Sequence, residues 1–148
     1  DVVKALALGA EVCMTDSRHL SGSDRIAEAA LMLGLEDDAV IVNVQCDQPL
    51  IEPSLIKKTA TTLLENEGIK VATLATPIND LATLQDPDTV KVVLNHRKKA
   101  MYFSRSIIPH QRGAATNNSK AEITLDNYLR HIGLYSYRMD MLQKFVST

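Results

Sequence analysis

What this sequence has little of narrows its chemistry before any motif is weighed. Cysteine occurs twice in 148 residues, at Cys13 and Cys46, a number and spacing that fit neither a zinc site nor a disulfide framework. Each lies in an apolar, strand-like segment where a reduced, buried thiol is the expected state, as in a reducing cytoplasm. No apolar run approaches the roughly 20 residues that a membrane span requires, and the first residues lack the charged, apolar and cleavage regions of a signal peptide. A cytoplasmic location without membrane attachment is therefore expected. Charge of one sign is also scarce: the formal net charge is -2, and no long basic block offers itself to a polyanion, so nucleic acid is not an expected partner. A His pair, a Cys cluster, a serine triad and a complete Walker loop are all missing, which disfavours zinc hydrolysis, thiol catalysis and P-loop phosphotransfer.

What is there is an ordered alternation of elements. At 45% hydrophobic content the chain can bury the core of one domain. Val2, Val3, Ala5, Leu6 and Leu8 read as the end of an amphipathic helix closed by Gly9, and Glu11 to Met14 as a short strand. Ser21-Gly22-Ser23-Asp24 has the pattern of a capping box, after which Ile26, Ala29, Ala30 and Leu33 recur at helical spacing until Gly34. Ala39 to Gln45 is an apolar strand. Pro53 suits the first turn of a helix whose inward stripe would be Ile56, Ala60, Leu63 and Leu64, with Gly68 after it. Val71 to Thr76 is the next strand. Apolar strands alternating with helices predict an α/β fold over residues 1–89: a mainly parallel sheet covered by helices on both faces.

The second part, residues 90–138, changes character. Val90 to Leu94 and Ala100 to Ser104 flank the polar turn Asn95 to Lys99 and predict an antiparallel hairpin. The basic cluster His96 to Lys99 reads as its solvated tip. Gly113 to Lys120 has no apolar periodicity and reads as a loop, and His131 to Arg138 is one more strand. Met139 to Thr148 resembles a helix without its continuation; with an opening element that starts inside a helix, both ends are expected to continue in a longer protein.

Several residues could carry chemistry. The strand Ile41 to Val44 stops abruptly at Gln45-Cys46-Asp47-Gln48-Pro49, and in open α/β sheets ligands bind beyond the carboxyl ends of the strands. Asp47 is thus a candidate magnesium ligand, since that ion commonly takes one or two carboxylates plus substrate phosphates, and Gln45 is a candidate substrate contact; a turn-capping role for Asp47 is the plainer alternative. His19-Leu20-Ser21-Gly22-Ser23-Asp24-Arg25 joins a small-residue loop to a helix N-terminus, where free N–H groups favour phosphate or the polar edge of a base, or else it is simply a capped helix beside a solvated arginine. Arg105 and Arg112 could hold an anion with a bidentate fork, or lie in solvent. His131 could donate to a ligand or serve structure alone.

Taken together, five blocks resemble one family: His19 to Arg25 with Ala27-Glu28, Val42 to Leu50, Val90 to Val93, Tyr102-Phe103-Ser104-Arg105 with Ile108-Pro109, and His131 to Arg138. In that order they are similar to the 3-deoxy-manno-octulosonate cytidylyltransferases, the CMP-Kdo synthetases. The resemblance implies a Rossmann-like nucleotidyltransferase sheet and a magnesium-dependent transfer of CMP from CTP to Kdo, with pyrophosphate leaving and the product entering lipopolysaccharide synthesis. It implies Asp47 as the catalytic Mg²⁺ ligand, Gln45, Arg105, His131 and Tyr135 as the Kdo contacts, and Ser21, Gly22 and Arg25 as CTP contacts. A homodimer is implied as well, its contact and the sugar lobe lying in the 90–138 insertion. The family's block reads Gln-Gly-Asp-Glu-Pro, whereas Cys46 and Gln48 flank Asp47 here, which alters backbone freedom and charge beside it. The family's arginine-rich CTP loop would precede Asp1 and a second metal-binding aspartate would follow Thr148, so residues 1–148 alone are not expected to turn over CTP. Related CMP-sugar synthetases acting on 8-amino-Kdo or sialate, and a non-catalytic nucleotide-binding or assembly domain, are the alternatives.

Overall fold

The computed structural model describes residues 9, 11–45, 50–112 and 123–147. The expected opening helix and the Gly113 to Lys120 loop lie outside them. Helix α1, Gly22–Met32, begins where the capping box places it. The Ser21 hydroxyl accepts from the Asp24 amide at 3.2 Å while the Asp24 carboxylate accepts from the Ser21 amide at 3.0 Å, so two otherwise unpaired donors are satisfied reciprocally. The helix ends in a Schellman turn: Gly34 takes φ 65°, and the amides of Gly34 and Leu35 return to the carbonyls of Leu31 and Ala30 at 3.0 and 3.1 Å. That left-handed backbone is cheap for glycine and costly for a side chain.

Strand β1, Val40–Asn43, is shorter than expected. Helix α2, Pro53–Leu64, starts on its proline and buries Thr59 and Leu63, whereas Leu64, expected inside, is 65% exposed. The inward face follows Ile56, Thr59 and Leu63, and Leu64 is carried off it by the 100° turn per residue. Strand β2, Val71–Pro77, precedes a one-turn helix α3, Leu81–Gln85, capped by Asp80. Strands β3, Lys91–Leu94, and β4, Ala100–Ser104, form the expected hairpin. Its turn is shaped by Asn95, whose side chain accepts from the amides of Arg97 and Lys99 at 2.9 and 3.0 Å, and by Lys98 at φ 57°. Strand β5, Leu129–Arg138, and helix α4, Met139–Val146, complete the order.

The chain falls into two compact units, Asp1–Ala72 with Leu134–Thr148, and Thr73–Gly133; it passes from one to the other within β2 and within β5. In the first unit β1 runs antiparallel to the C-terminal half of β5, with Asn43 opposite Tyr135 and Val40 opposite Arg138. Ala27, Tyr137 and Leu142 form its core, flanked by Ile26, Ile41, Tyr135 and Val146. The second unit holds the β3–β4 hairpin, with Lys91 opposite Arg130 of β5, and a core of Ile78, Leu84 and Tyr128 packed by Ile123 and Leu125. Helices and strands alternate as expected for α/β. The neighbours differ from a mainly parallel order, because each pairing with a defined register, β1 with β5, β3 with β4 and β3 with β5, is antiparallel. An apolar strand records that its faces are covered, not which way its neighbour runs. Residues 11–16, expected to include a strand, are irregular; a stretch this short forms a strand only where a partner supplies the ladder.

Candidate active site

The loop before α1 is tied down from three directions. The Asp16 carboxylate accepts from the Arg18 amide at 2.8 Å and from its guanidinium at 2.6 Å, and these bonds hold its pKa below the ordinary carboxylate value. Arg25 of α1 donates to the Thr15 hydroxyl at 2.5 Å and the Asp16 carbonyl at 3.2 Å. Glu28, one turn further on, accepts from the Asp16 amide at 2.9 Å and hydrogen-bonds His19 through Nε2; the histidine contact chiefly holds the Glu28 pKa down. Ser21, Gly22 and Arg25 are thereby gathered at one helix N-terminus. At Gly22 neither φ nor packing demands glycine, since a Cβ there would meet nothing within 4 Å, so the surface above this turn is open.

Gln45 lies exposed, two residues past the end of β1, and Asp47 lies outside the described residues. Tyr135 belongs to the same unit as Gln45: it sits opposite Asn43, the last residue of β1, and stacks on Tyr137 with ring centroids 5.9 Å apart. Burial raises both phenol pKa values, so both remain neutral hydroxyls at physiological pH.

Arg105 and His131 belong to the second unit. His131 Nε2 hydrogen-bonds the Thr73 hydroxyl at 2.8 Å, and its ring meets the edge of Phe103 at 4.8 Å and 72°. Burial lowers its pKa, which favours the neutral imidazole, able to donate from one nitrogen and accept at the other. Arg105 follows β4 two residues after Phe103 and extends along the turn before β3, where Nη1 donates to the carbonyls of Pro87 and Asp88 at 3.0 and 3.1 Å. Arg112 is exposed at the end of its described stretch. Sequence reasoning missed Glu28, Thr73 and Lys91. Only Lys91 left a local signal, as the one charged residue of the apolar run Val90 to Leu94, and its side chain is fully buried.

A family model described as cytidylyltransferase matches residues 1–148. The chain belongs to the cytidylyltransferase family. Among curated relatives, the 3-deoxy-manno-octulosonate cytidylyltransferase of Coxiella burnetii (strain Dugway 5J108-111) is 47% identical over 139 residues, covering 94% of this chain and 55% of the relative. That of Herminiimonas arsenicoxydans is 52% identical over 134 residues, covering 90% and 53%. A solved structure, CMP:2-keto-3-deoxy-manno-octonic acid synthetase complexed with CTP, matches with a TM-score of 0.79 and 38% identity over 97% of this cytidylyltransferase chain and 54% of that one. The chain thus spans about half the length of the relatives it matches.

Proposed function

We propose that this protein transfers CMP from CTP to 3-deoxy-manno-octulosonate, the sugar's anomeric hydroxyl attacking the α-phosphorus while pyrophosphate leaves. The observation that carries this reading is the 47 to 52% identity with 3-deoxy-manno-octulosonate cytidylyltransferases over 90% or more of the chain. The reaction needs alignment and charge neutralisation, not a protein nucleophile. In this reading the open turn at Ser21 and Gly22, braced by Arg25, meets the cytidine part of CTP. Gln45, Tyr135, Arg105 and His131 are the proposed contacts of the sugar acid, with Arg105 assigned to its carboxylate.

Among the described residues no three His, Cys, Asp or Glu side chains cluster to hold a metal. Magnesium commonly takes one or two protein carboxylates together with substrate phosphates. Asp47 is its proposed protein ligand, and when bound the ion would neutralise triphosphate charge. The reading also carries a cytoplasmic homodimer serving lipopolysaccharide synthesis, a nucleotidyltransferase core at 1–89, a sugar-binding and dimerisation insertion at 90–138, and no turnover by residues 1–148 alone. The test is pyrophosphate release by the full-length protein with CTP and Mg²⁺, offered Kdo, 8-amino-Kdo or sialate in turn. Release with Kdo is expected, and its loss in Asp47→Ala; no release with Kdo or 8-amino-Kdo would overturn the assignment.

A further inference from the structure

Lys91 is the most unusual charged residue described. It lies on β3 opposite Ser104 and Arg130 and is 0% exposed. Its ammonium donates to three backbone carbonyls: Asp86 at 2.7 Å, Thr89 at 2.9 Å and Arg105 at 3.0 Å. An ammonium has three donors, so its capacity is spent. Arg105 Nη1 takes the two carbonyls in between, those of Pro87 and Asp88. Every carbonyl of the turn Asp86 to Thr89 therefore accepts from one of two cations. The turn is also drawn together by the Asp86 carboxylate, which accepts from the Asp88 amide at 2.9 Å and the Thr89 hydroxyl at 2.8 Å.

A buried ammonium is costly, and an apolar side chain of similar volume would fill the space without that cost. Burial indeed pushes the Lys91 pKa down, opposed by Asp86 and reinforced by Arg105. What a methionine could not supply is the tie between the turn and the main chain of Arg105. With it, Arg105 is fixed twice: its carbonyl by Lys91, and its Nη1 by the turn that Lys91 holds. Its side chain nonetheless remains 64% exposed, and its Nε and Nη2 donate to no partner among the described residues. Those two donors form the edge that binds a carboxylate bidentately.

We infer that Lys91 is the positioning residue that presets this edge of Arg105 for the carboxylate of the acceptor sugar acid, acting through the turn Asp86 to Thr89; the inference rests on the reading of Arg105 as the sugar-acid contact. A guanidinium fixed in advance loses less freedom when the acid binds. Lys91 touches no substrate and acts on one substrate alone.

Steady-state kinetics of the full-length protein, with the sugar acid and CTP varied separately, test it. Lys91→Met should raise KM for the sugar acid about tenfold and leave KM for CTP and kcat within about twofold, the signature of lost ground-state binding at one site. Asp86→Ala, which loosens the same turn without touching either cation's donors, should shift the sugar-acid KM in the same direction, by about threefold. A folded Lys91→Met variant with an unchanged sugar-acid KM, or one in which both KM values and kcat move together, would overturn the inference. If Lys91→Met does not fold, Asp86→Ala decides alone, and an unchanged sugar-acid KM there overturns it. Arg105→Met separates the two levels. If it leaves the sugar-acid KM unchanged, the reading of Arg105 itself fails; if it raises that KM while the Lys91 and Asp86 variants do not, only the positioning role fails.

Discussion

Ser21→Gly separates what the first turn of α1 does for the fold from what it does for the nucleotide. The Ser21 hydroxyl donates to the Asp24 carboxylate at 2.7 Å and accepts from the Asp24 amide at 3.2 Å. A hydroxyl has one donor and two lone pairs, so one lone pair remains. Any ligand contact at this oxygen must therefore come from a donor, and in the base of CTP that donor is the exocyclic amine, which UTP replaces with a carbonyl. Glycine at the N-cap costs a helix only about a few tenths of a kcal/mol, where alanine costs about 1. The variant thus removes the oxygen while nearly preserving the cap. Losing one neutral hydrogen bond of about 0.5–1.5 kcal/mol predicts a roughly 2- to 12-fold weaker Kd for CTP, with Kd for UTP almost unmoved. Calorimetric titration of the full-length protein with each nucleotide reads this directly, and urea unfolding should place Ser21→Gly within about 0.5 kcal/mol of wild type. Asp24→Ala is the control: it breaks the reciprocal bond at a stability cost of about 1 kcal/mol yet leaves the hydroxyl in place. CTP affinity lost equally in Asp24→Ala and Ser21→Gly, or unchanged in Ser21→Gly, would refute a nucleotide contact at Ser21.

Three further outcomes follow from the structure. Leu142→Ala, at a fully buried position of the first unit's core, should cost about 2–5 kcal/mol in urea unfolding, and a loss below about 1 would contradict tight packing there. Arg138→Met removes charged donors from the carbonyls of Leu63, at 2.5 Å, and Ile69, at 3.3 Å; a loss of about 2–4 kcal/mol is expected, and a neutral result would mean that water takes over both carbonyls. Stability should fall with acid in two limbs. The neutral form of His131, its pKa depressed by burial, contributes stability fully present above its unfolded value of about 6.5 and lost as pH falls through the folded one. Asp16, Glu28 and Asp140, held low by Arg18, His19 and Lys70, contribute stability present above about pH 4 and lost below it. Urea midpoints measured against pH should show the upper limb vanish in His131→Gln and the lower one persist; an upper limb unchanged by that substitution would refute the assignment.

What the sequence disclosed and what it withheld divide along a physical line. The capping box at Ser21 and Asp24, the glycine turn at Gly34, the proline start of α2 and the Asn95 turn of the hairpin are each closed by partners within a few residues, so their chemistry is written locally. The pairing of β1 with β5 joins Val40 to Arg138, 98 positions apart, and an apolar strand names no partner. The candidate site divides in the same way. The gathering of Ser21, Gly22 and Arg25 was legible because one helix turn brings them together. The bond from His131 to Thr73 spans 58 positions, and Glu28, although part of a block, showed no partner until the fold set Asp16 and His19 against it.

Arg105 shows why the second kind of information bears most on function. In sequence it is an arginine after a strand, either a solvated cation or an anion's partner, and the two readings look alike. In the structure the guanidinium is divided: Nη1 is committed to the carbonyls of Pro87 and Asp88, whereas Nε and Nη2 donate to no partner among the described residues. A guanidinium anchored by one nitrogen and open along the opposite edge is suited to a planar carboxylate and poorly suited to a freely rotating contact. That division of labour depends on a turn whose carbonyls converge, and the convergence depends on a lysine set in an apolar strand. The placing of the Arg105 guanidinium therefore rests on Lys91 and Asp86 as much as on Arg105 itself.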